Sequence, residues 1–159
     1  MKKLWFWLAG CLLAIPLVLG IWGFVLPAQY RETFLGELSA KRALLAEDSE
    51  KPRLVLVGGS AVAFGVDSAL LEAQLPQYKV VNFGMYAALG TRVMLDLSEP
   101  LLREGDLVLV LPEQQQQTLS DYLGAQALWQ AADGDFSLLR CLHARDASVM
   151  LGYFPAFAA

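Results

Sequence analysis

Hydrophobic and polar positions divide the chain into three stretches. The first is an apolar run from Leu4 to Leu26 without a charged side chain. At about 1.5 Å per residue, a helix of this length crosses the roughly 30 Å hydrocarbon core of a bilayer. Lys2 and Lys3 precede the run, and positive charge beside a spanning segment keeps that end in the cytoplasm. Residues 1–27 are therefore interpreted as a cytoplasmic tip and a transmembrane signal anchor.

Two other interpretations of this segment are weaker. A cleaved signal peptide ends in small residues, whereas residues 22–26 are bulky except for Gly23. The residues from Leu8 to Cys11 fit the pattern of a lipid-modified cysteine, but only four apolar residues separate them from the lysines, and the chain stays apolar afterwards. We interpret Cys11 as an ordinary small residue of the helix and Pro16 as a tolerated kink.

The second stretch, residues 28–50, has a helical pattern. It is rich in Ala, Leu, Glu, Lys and Arg, and its apolar residues recur at helical intervals. Pro52 disfavours helical geometry in the residue before it. The pattern predicts an amphipathic helix that lifts a domain off the membrane, so residues 28–52 are interpreted as a helical linker.

From residue 53 onward, short apolar strands alternate with helical patterns. The predicted strands are Arg53–Val57, Tyr78–Asn82 and Leu107–Leu111. One helix, capped by Asp67 or Ser68, is expected before Pro76, and another over Thr91–Leu102. The alternation predicts an α/β domain with a parallel, doubly wound sheet and functional loops at the strands' C-terminal ends. The wholly apolar third strand is expected to be central.

The pattern weakens after Pro112. A helix is expected over Leu119–Ala132 and a turn over Asp133–Asp135. The sequence ends on an apolar segment, Val149–Ala159, without a polar tail. We therefore expect the domain of residues 53–159 to be incomplete and to expose a sheet edge and an apolar face.

Charge and cysteine content limit the partners. The part after Leu26 carries ten basic and sixteen acidic residues, a net charge of −6, which argues against a nucleic-acid partner. Cys141 has no second cysteine outside the membrane segment, so no intrachain disulfide supports the domain. The phosphate-loop and dinucleotide-binding glycine patterns are absent, and neither a cofactor nor a metal is predicted.

Ser60 is the first candidate for chemistry. It follows the first strand and two glycines, so its hydroxyl is expected at the C-terminal end of a strand beside backbone N–H groups. A nucleophile and a serine chosen only for a tight turn are equally compatible with this position. Val62 replaces the second glycine of G-x-S-x-G, which argues against the α/β-hydrolase elbow.

Three blocks together resemble the SGNH (GDSL-type) hydrolase superfamily. They are Val55–Gly65, Val81–Met85 and Asp106–Glu113, and the resemblance spans roughly residues 53–113. It is similar to the membrane-anchored branch associated with bacterial cell-surface polysaccharide assembly. The resemblance implies a flavodoxin-like (SGNH-type) three-layer domain, partial here, that follows the transmembrane helix.

The resemblance also implies roles for individual residues. Ser60 corresponds to the nucleophile, and the backbone N–H groups of Gly59, Ser60, Gly84 and Ala87 correspond to the oxyanion hole. Gly59 stands where the family commonly has aspartate, Ala87 where it has glycine, and Glu113 where a third-block asparagine donates to the oxyanion. Unless protonated, the Glu113 carboxylate would repel that oxyanion.

The family's base comes from an Asp-x-x-His block, which this chain lacks. Its one histidine, His143, has Arg140 three residues before it. Asp135 or Asp146 could orient the ring, but a lone histidine is more often a surface or packing residue. The base therefore stays unassigned.

Three hypotheses follow for function. The first is an ester hydrolase or O-acyltransferase scaffold that acts on acylated glycans at the periplasmic side of the cytoplasmic (inner) membrane. The second is a non-catalytic glycan-binding or assembly component of a polysaccharide export or modification complex. The third is a truncated gene product. The expected partners are the membrane, glycan and polysaccharide-assembly proteins.

Overall fold

The structure, a computed structural model, describes residues 2–25, 28–113 and 116–158. Three features expected from the sequence fall partly outside these ranges: the end of the predicted spanning segment at Leu26, the domain boundary at residue 27, and the last apolar residue, Ala159.

The first helix, α1, runs over Lys2–Phe24 and contains Pro16. It is long and apolar enough to cross a membrane, as its sequence predicts. Its residues are exposed except for Leu19, Gly20 and Gly23.

The sheet has three parallel strands, which confirms the predicted α/β class and parallel pairing. They are β1 (Arg53–Gly58), β2 (Lys79–Gly84) and β3 (Leu107–Leu111). The spatial order is β2-β1-β3, and Val55 of β1 is opposite Val81 of β2 and Val108 of β3. The strand order thus reverses beside β1, which is the central strand.

Helices cover both faces of the sheet. One face packs on α2 (Leu38–Ala46) and α5 (Thr91–Ser98), and the last two helices of the chain lie beyond them. The opposite face packs on α3 (Ser60–Gly65) and α4 (Ser68–Gln74). The last two helices are α6 (Ala125–Ala131) and α7 (Ala147–Ala158). Short 3₁₀ turns occupy Ala87–Leu89, Glu99–Leu101, Gln116–Thr118, Phe136–Cys141 and Ala144–Asp146.

The prediction that the third strand is central is wrong. In the part of the chain that the structure describes, β3 pairs only with β1 and forms an edge of the sheet. Leu107, Leu109 and Leu111 remain 37–50% exposed on the face that α3 and α4 cover elsewhere. Its apolar sequence therefore produces an open apolar edge in the described part of the chain.

The helix predicted over residues 28–50 is shorter than expected. Turns occupy much of residues 29–37, and α2 begins at Leu38. Both Gln29 and Tyr30 donate backbone hydrogen bonds to the buried carboxylate of Asp133, which holds the turns in place. Leu38 and Leu45 are fully buried in the main core, so α2 packs against the sheet and belongs to the domain.

Other helix limits also differ from the predictions. Asp67 caps α4 as expected, because its side chain accepts the Leu70 N–H at 3.0 Å. The helix predicted over Thr91–Leu102 ends at Ser98 and continues as a 3₁₀ turn. The helix predicted over Leu119–Ala132 begins only at Ala125.

A buried ion pair ties β1 to the start of β3. The Arg53 guanidinium is paired with the Asp106 carboxylate, and the two side chains are 2% and 4% exposed. The guanidinium also donates to the carbonyls of Leu45 and Leu101, and the Arg103 N–H donates to Asp106 at 2.8 Å. One cluster thus joins the end of α2, the turn after α5 and two strands.

An aromatic cluster joins α1 to the domain. The ring of Phe24 stacks on Phe154 of α7 with centroids 5.1 Å apart, and it meets Phe136 and Trp129 edge-on. Trp129 in turn stacks on Phe157 at 5.3 Å. Such pairs stabilise beyond their buried area, so the end of α1 is fixed on α6 and α7.

Candidate functional site

Ser60 lies where the sequence predicts it. The central strand β1 ends at Gly58, Gly59 adopts extended backbone as the N-cap, and Ser60 is the first residue of α3. Its side chain is partly exposed. The first N–H groups of a helix have no partner inside that helix, so the Ser60 hydroxyl lies beside backbone donors.

The C-terminal ends of all three strands meet around Gly59. A Cβ atom at this position would lie 2.5 Å from Oε1 of Glu113, after β3, and 2.7 Å from Cβ of Ala87, after β2. A side chain at position 59 would therefore displace the Glu113 carboxylate, the movable end of a long side chain, and the loop that carries Ala87. The crevice beside β1, where strand order reverses, is the usual ligand position in open α/β sheets.

Glu113 contacts both Ser60 and the start of α3. Its Oε1 accepts the Ala61 N–H at 2.5 Å, and its Oε2 lies 3.5 Å from the Ser60 hydroxyl. A carboxylate that accepts a first-turn N–H caps a helix whose N-cap residue, Gly59, has no side chain to do so. Sequence reasoning placed Glu113 at this strand end, and the structure brings it to Ser60.

The four predicted oxyanion donors differ in availability. The Gly84 N–H donates to the Asn82 side chain at 2.9 Å, so it is already engaged. Asn82 also donates to the Val62 carbonyl at 2.9 Å and thereby fastens α3 to β2. Ala87 begins a 3₁₀ turn beside Gly59, which leaves Gly59, Ser60 and Ala87 at the strand ends.

His143 belongs to a different cluster. Its Nε2 lies 3.1 Å from the Asp96 carboxylate of α5, and its backbone N–H donates to Asp146 at 3.0 Å. Arg92 bridges the two carboxylates, at 3.1 Å to Asp96 and 2.9 Å to Asp146. Among the described residues, the side-chain partner of Ser60 is Glu113, and no contact joins it to His143.

The cluster around His143 has a structural function. Burial alone raises the pKa of the Asp146 carboxyl, but the His143 N–H and the Arg92 guanidinium hold it below its ordinary value. The charges thus join α5 to the segment before α7. Asp135, the other carboxylate considered for His143, instead accepts from Ser39 and Ser137 at 2.7 and 2.5 Å.

A neutral groove begins at the loop after β2. It has a volume of about 420 Å³, and none of its lining residues is charged. Tyr86, Tyr122 and Tyr153 supply aromatic rings, and Gln126 and Gln130 supply amides. Ala88 also lines it, one residue from the Ala87 that contacts Gly59. The groove thus extends from the loop after β2, next to Ala87 in the chain, to α7, whereas Gly59, Ser60 and Glu113 do not line it.

The sequence did not predict this groove, because its residues come from three separate segments that share no motif. The tyrosines lie 31 to 67 positions apart in the chain. The aromatic rings provide surfaces on which a ligand can stack, and the amides can both donate and accept hydrogen bonds. Neither group favours a charged ligand.

Comparisons with known proteins give no relative for this chain. No protein-family model matches it, and neither a curated protein nor a solved structure shows significant similarity.

Proposed function

We propose that this chain is a membrane-anchored, extracytoplasmic protein built on a flavodoxin-like, SGNH-type scaffold for ester hydrolysis or O-acyl transfer on acylated glycans. Ser60 is its nucleophile. The observation that carries the proposal is the position of Ser60 at the end of the central strand, where the loops after β2 and β3 converge on Gly59.

The proposed chemistry assigns a proton to each step. The Ser60 hydroxyl oxygen attacks the ester carbonyl carbon while its proton passes to Oε2 of Glu113, the carboxylate 3.5 Å away. The carbonyl oxygen becomes an oxyanion within reach of the Ser60 and Ala87 N–H groups. Once Glu113 has taken the proton it is neutral, so it no longer repels that oxyanion. When the intermediate collapses, the ester C–O bond breaks and Glu113 returns the proton to the departing sugar oxygen, which leaves the acyl group on Ser60. Water or an acceptor hydroxyl then attacks this acyl group, gives its proton to Glu113, and the proton returns to the Ser60 oxygen as it leaves.

Three residues depart from the family pattern, and their close packing indicates that they changed together. Gly59 replaces the usual aspartate, Ala87 a glycine and Glu113 an asparagine, and these are the residues that crowd one another. A side chain at position 59 would collide with the other two. The absence of aspartate there is therefore physically coupled to the presence of Ala87 and Glu113.

The groove supports a carbohydrate substrate. Three tyrosines and two glutamines line it, and its neutrality does not favour phosphate or nucleic acid. The part of the chain after Leu26 is also acidic overall. An acylated sugar bound there would have its ester near Ala88, toward the strand ends.

The apolar α1 supports the location. Lys2 and Lys3 at its start favour a cytoplasmic N-terminus, and a single span would then put the domain outside the cytoplasmic membrane, in the periplasm of a two-membrane cell.

Labelling with a fluorophosphonate tests the proposal on the full chain in detergent micelles. We expect labelling of the wild-type chain and none of Ser60→Ala. Ser68→Ala is the matched control, because Ser68 likewise begins a short helix after a turn but lies at α4. Glu113→Gln should slow labelling by roughly 10²-fold, the lower range for loss of a general base.

The outcomes are distinguishable. Equal labelling of Ser60→Ala and wild type would remove Ser60 as the nucleophile. Faster labelling of Glu113→Gln would show that Glu113 only blocks the Ala61 N–H.

A second function, non-catalytic glycan binding, is favoured by one observation. The ring of His143 is paired with Asp96, so the site lacks the histidine base of a serine hydrolase. Binding of an acetylated oligosaccharide that is equal in wild type and Ser60→Ala, without phosphonate labelling, would support this alternative. Loss of binding in Tyr86→Ala would locate the ligand in the groove.

A further inference from the structure

We propose that α7 lies in the membrane surface beside the end of α1 and holds the domain against the bilayer. The inference rests on the proposed membrane anchor and goes beyond it, because a spanning helix alone would leave the domain free to tilt. The partner of the exposed face of α7 is lipid.

The composition of α7 is unusual for a helix in water. Its twelve residues, Ala147–Ala158, include no charged side chain. Val149, Leu151 and Tyr153 are 43%, 70% and 47% exposed, while Met150 and Phe157 are buried in the core. An apolar helix face that is left uncovered calls for a partner or a lipid surface.

Contact with α1 fixes the height of α7. A helix of 23 residues is about 34 Å long, so with Lys2 and Lys3 at one surface its other end reaches the opposite headgroups. At that end, a Cβ atom on Gly23 would lie 2.8 Å from the Phe154 ring and 3.4 Å from Ala158. The part of α7 that touches α1 is therefore at headgroup level.

Leu151 is the most exposed large apolar side chain of α7, and it lies on the helix side that carries the contacts with α1. Leu151, Phe154 and Ala158 follow helical spacing along one face. Because Phe154 and Ala158 contact the last turn of α1, Leu151 projects from α7 next to the spanning helix. Its side chain then meets the acyl-chain boundary.

The net charge of the domain indicates that the attraction between α7 and the bilayer is hydrophobic. The part after Leu26 carries a net charge of −6, which an anionic bilayer repels. Binding of α7 to lipid should therefore persist at high salt, unlike a polybasic contact. Tyr153 of α7 also lines the neutral groove.

Spin-label accessibility tests the inference on the full chain in phosphatidylcholine vesicles. The label is placed by Leu151→Cys in a chain that also carries Cys11→Ala and Cys141→Ala. Leu70→Cys is the matched control, because Leu70 is a leucine 58% exposed on α4, across the sheet. Collisions with oxygen, which partitions into lipid, are compared with collisions with a water-soluble nickel chelate.

We expect the ratio of oxygen to nickel collisions to be several-fold higher at position 151 than at position 70, at low and at high salt. Equal ratios in vesicles that retain the chain after alkaline carbonate would overturn this inference and leave the anchor standing. Removal of the chain by carbonate would overturn both. Dipolar broadening between labels at position 151 that disappears on dilution with unlabelled chain would show a second copy instead of lipid.

Discussion

Substitution of Asp106 by asparagine tests the buried ion pair most severely. The Asp106 carboxylate accepts hydrogen bonds from the Arg53 backbone N–H and Nε at 3.1 and 3.0 Å, from the Arg53 terminal nitrogen, and from the Arg103 N–H. Asparagine keeps one acceptor oxygen and turns an NH₂ group toward the guanidinium. Arg53, 2% exposed, would then remain charged without an anionic partner, with the Leu45 and Leu101 carbonyls and the single asparagine oxygen as acceptors.

The loss of the charged partner of Arg53 lowers the free energy of unfolding. Removal of one partner of a buried pair destabilises by about 3–5 kcal/mol, which increases the unfolded fraction by roughly 10²- to 4 × 10³-fold. A domain of this kind has about 5–15 kcal/mol in total, so the variant should unfold at much lower denaturant. Urea unfolding of the full chain in detergent micelles, followed by circular dichroism, measures the difference.

Glu104→Gln is the control for this prediction. Glu104 is an exposed acid two residues away in the same turn, and its substitution should change stability by no more than about 0.5 kcal/mol. If Asp106→Asn were as stable as Glu104→Gln, the buried ion pair between Arg53 and Asp106 would not stabilise the domain. Simultaneous replacement by Arg53→Met and Asp106→Leu should cost less than the sum of the single substitutions.

Three further predictions use the same chain. Burial raises the pKa values of Asp106 and Asp146, but hydrogen bonds from arginine and backbone N–H groups hold both below their ordinary value. Their contribution to stability is thus present above about pH 4 and is lost as pH falls further, which acid titration by circular dichroism should show; unchanged stability at pH 3 would contradict it. Burial and the nearby Asp96 raise the pKa of Cys141 to about 11, so iodoacetamide should modify it only after unfolding, and rapid modification of the folded chain would count against its burial. Leu109→Lys on the open edge of β3 should reduce aggregation measured by light scattering, with little change in unfolding free energy; undiminished aggregation would exclude this edge as its cause.

Local patterns predicted the strands well because they depend on short apolar runs. Residues 53–57 and 107–111 are recognisable as strands from their sequence alone. The position of a strand in the sheet is a different property. The apolar residues of β3 suggested a strand that is buried on both sides. An apolar sequence does not reveal which element covers the strand, and here Leu107 and Leu109 remain about half exposed.

Long-range partners explain the other differences. The turns before α2 depend on Asp133, about a hundred residues away in the chain, which no helical pattern reveals. In the same way, the partner of His143 is Asp96, forty-seven residues earlier. By contrast, the resemblance of three sequence blocks predicted Ser60 and Glu113 in one site, and the parallel strands bring these two residues together at their C-terminal ends.

The most direct test of the proposed function is the search for an acyl group on Ser60. The full chain is incubated with an acetylated oligosaccharide, quenched in acid and digested, and the peptide containing Ser60 is weighed by mass spectrometry. Our account predicts an acetyl adduct on Ser60 in the wild type and in Ser68→Ala, and none in Ser60→Ala. Acetate release with Ser60 unmodified and with equal rate in Ser60→Ala would contradict it, as would the absence of both adduct and release.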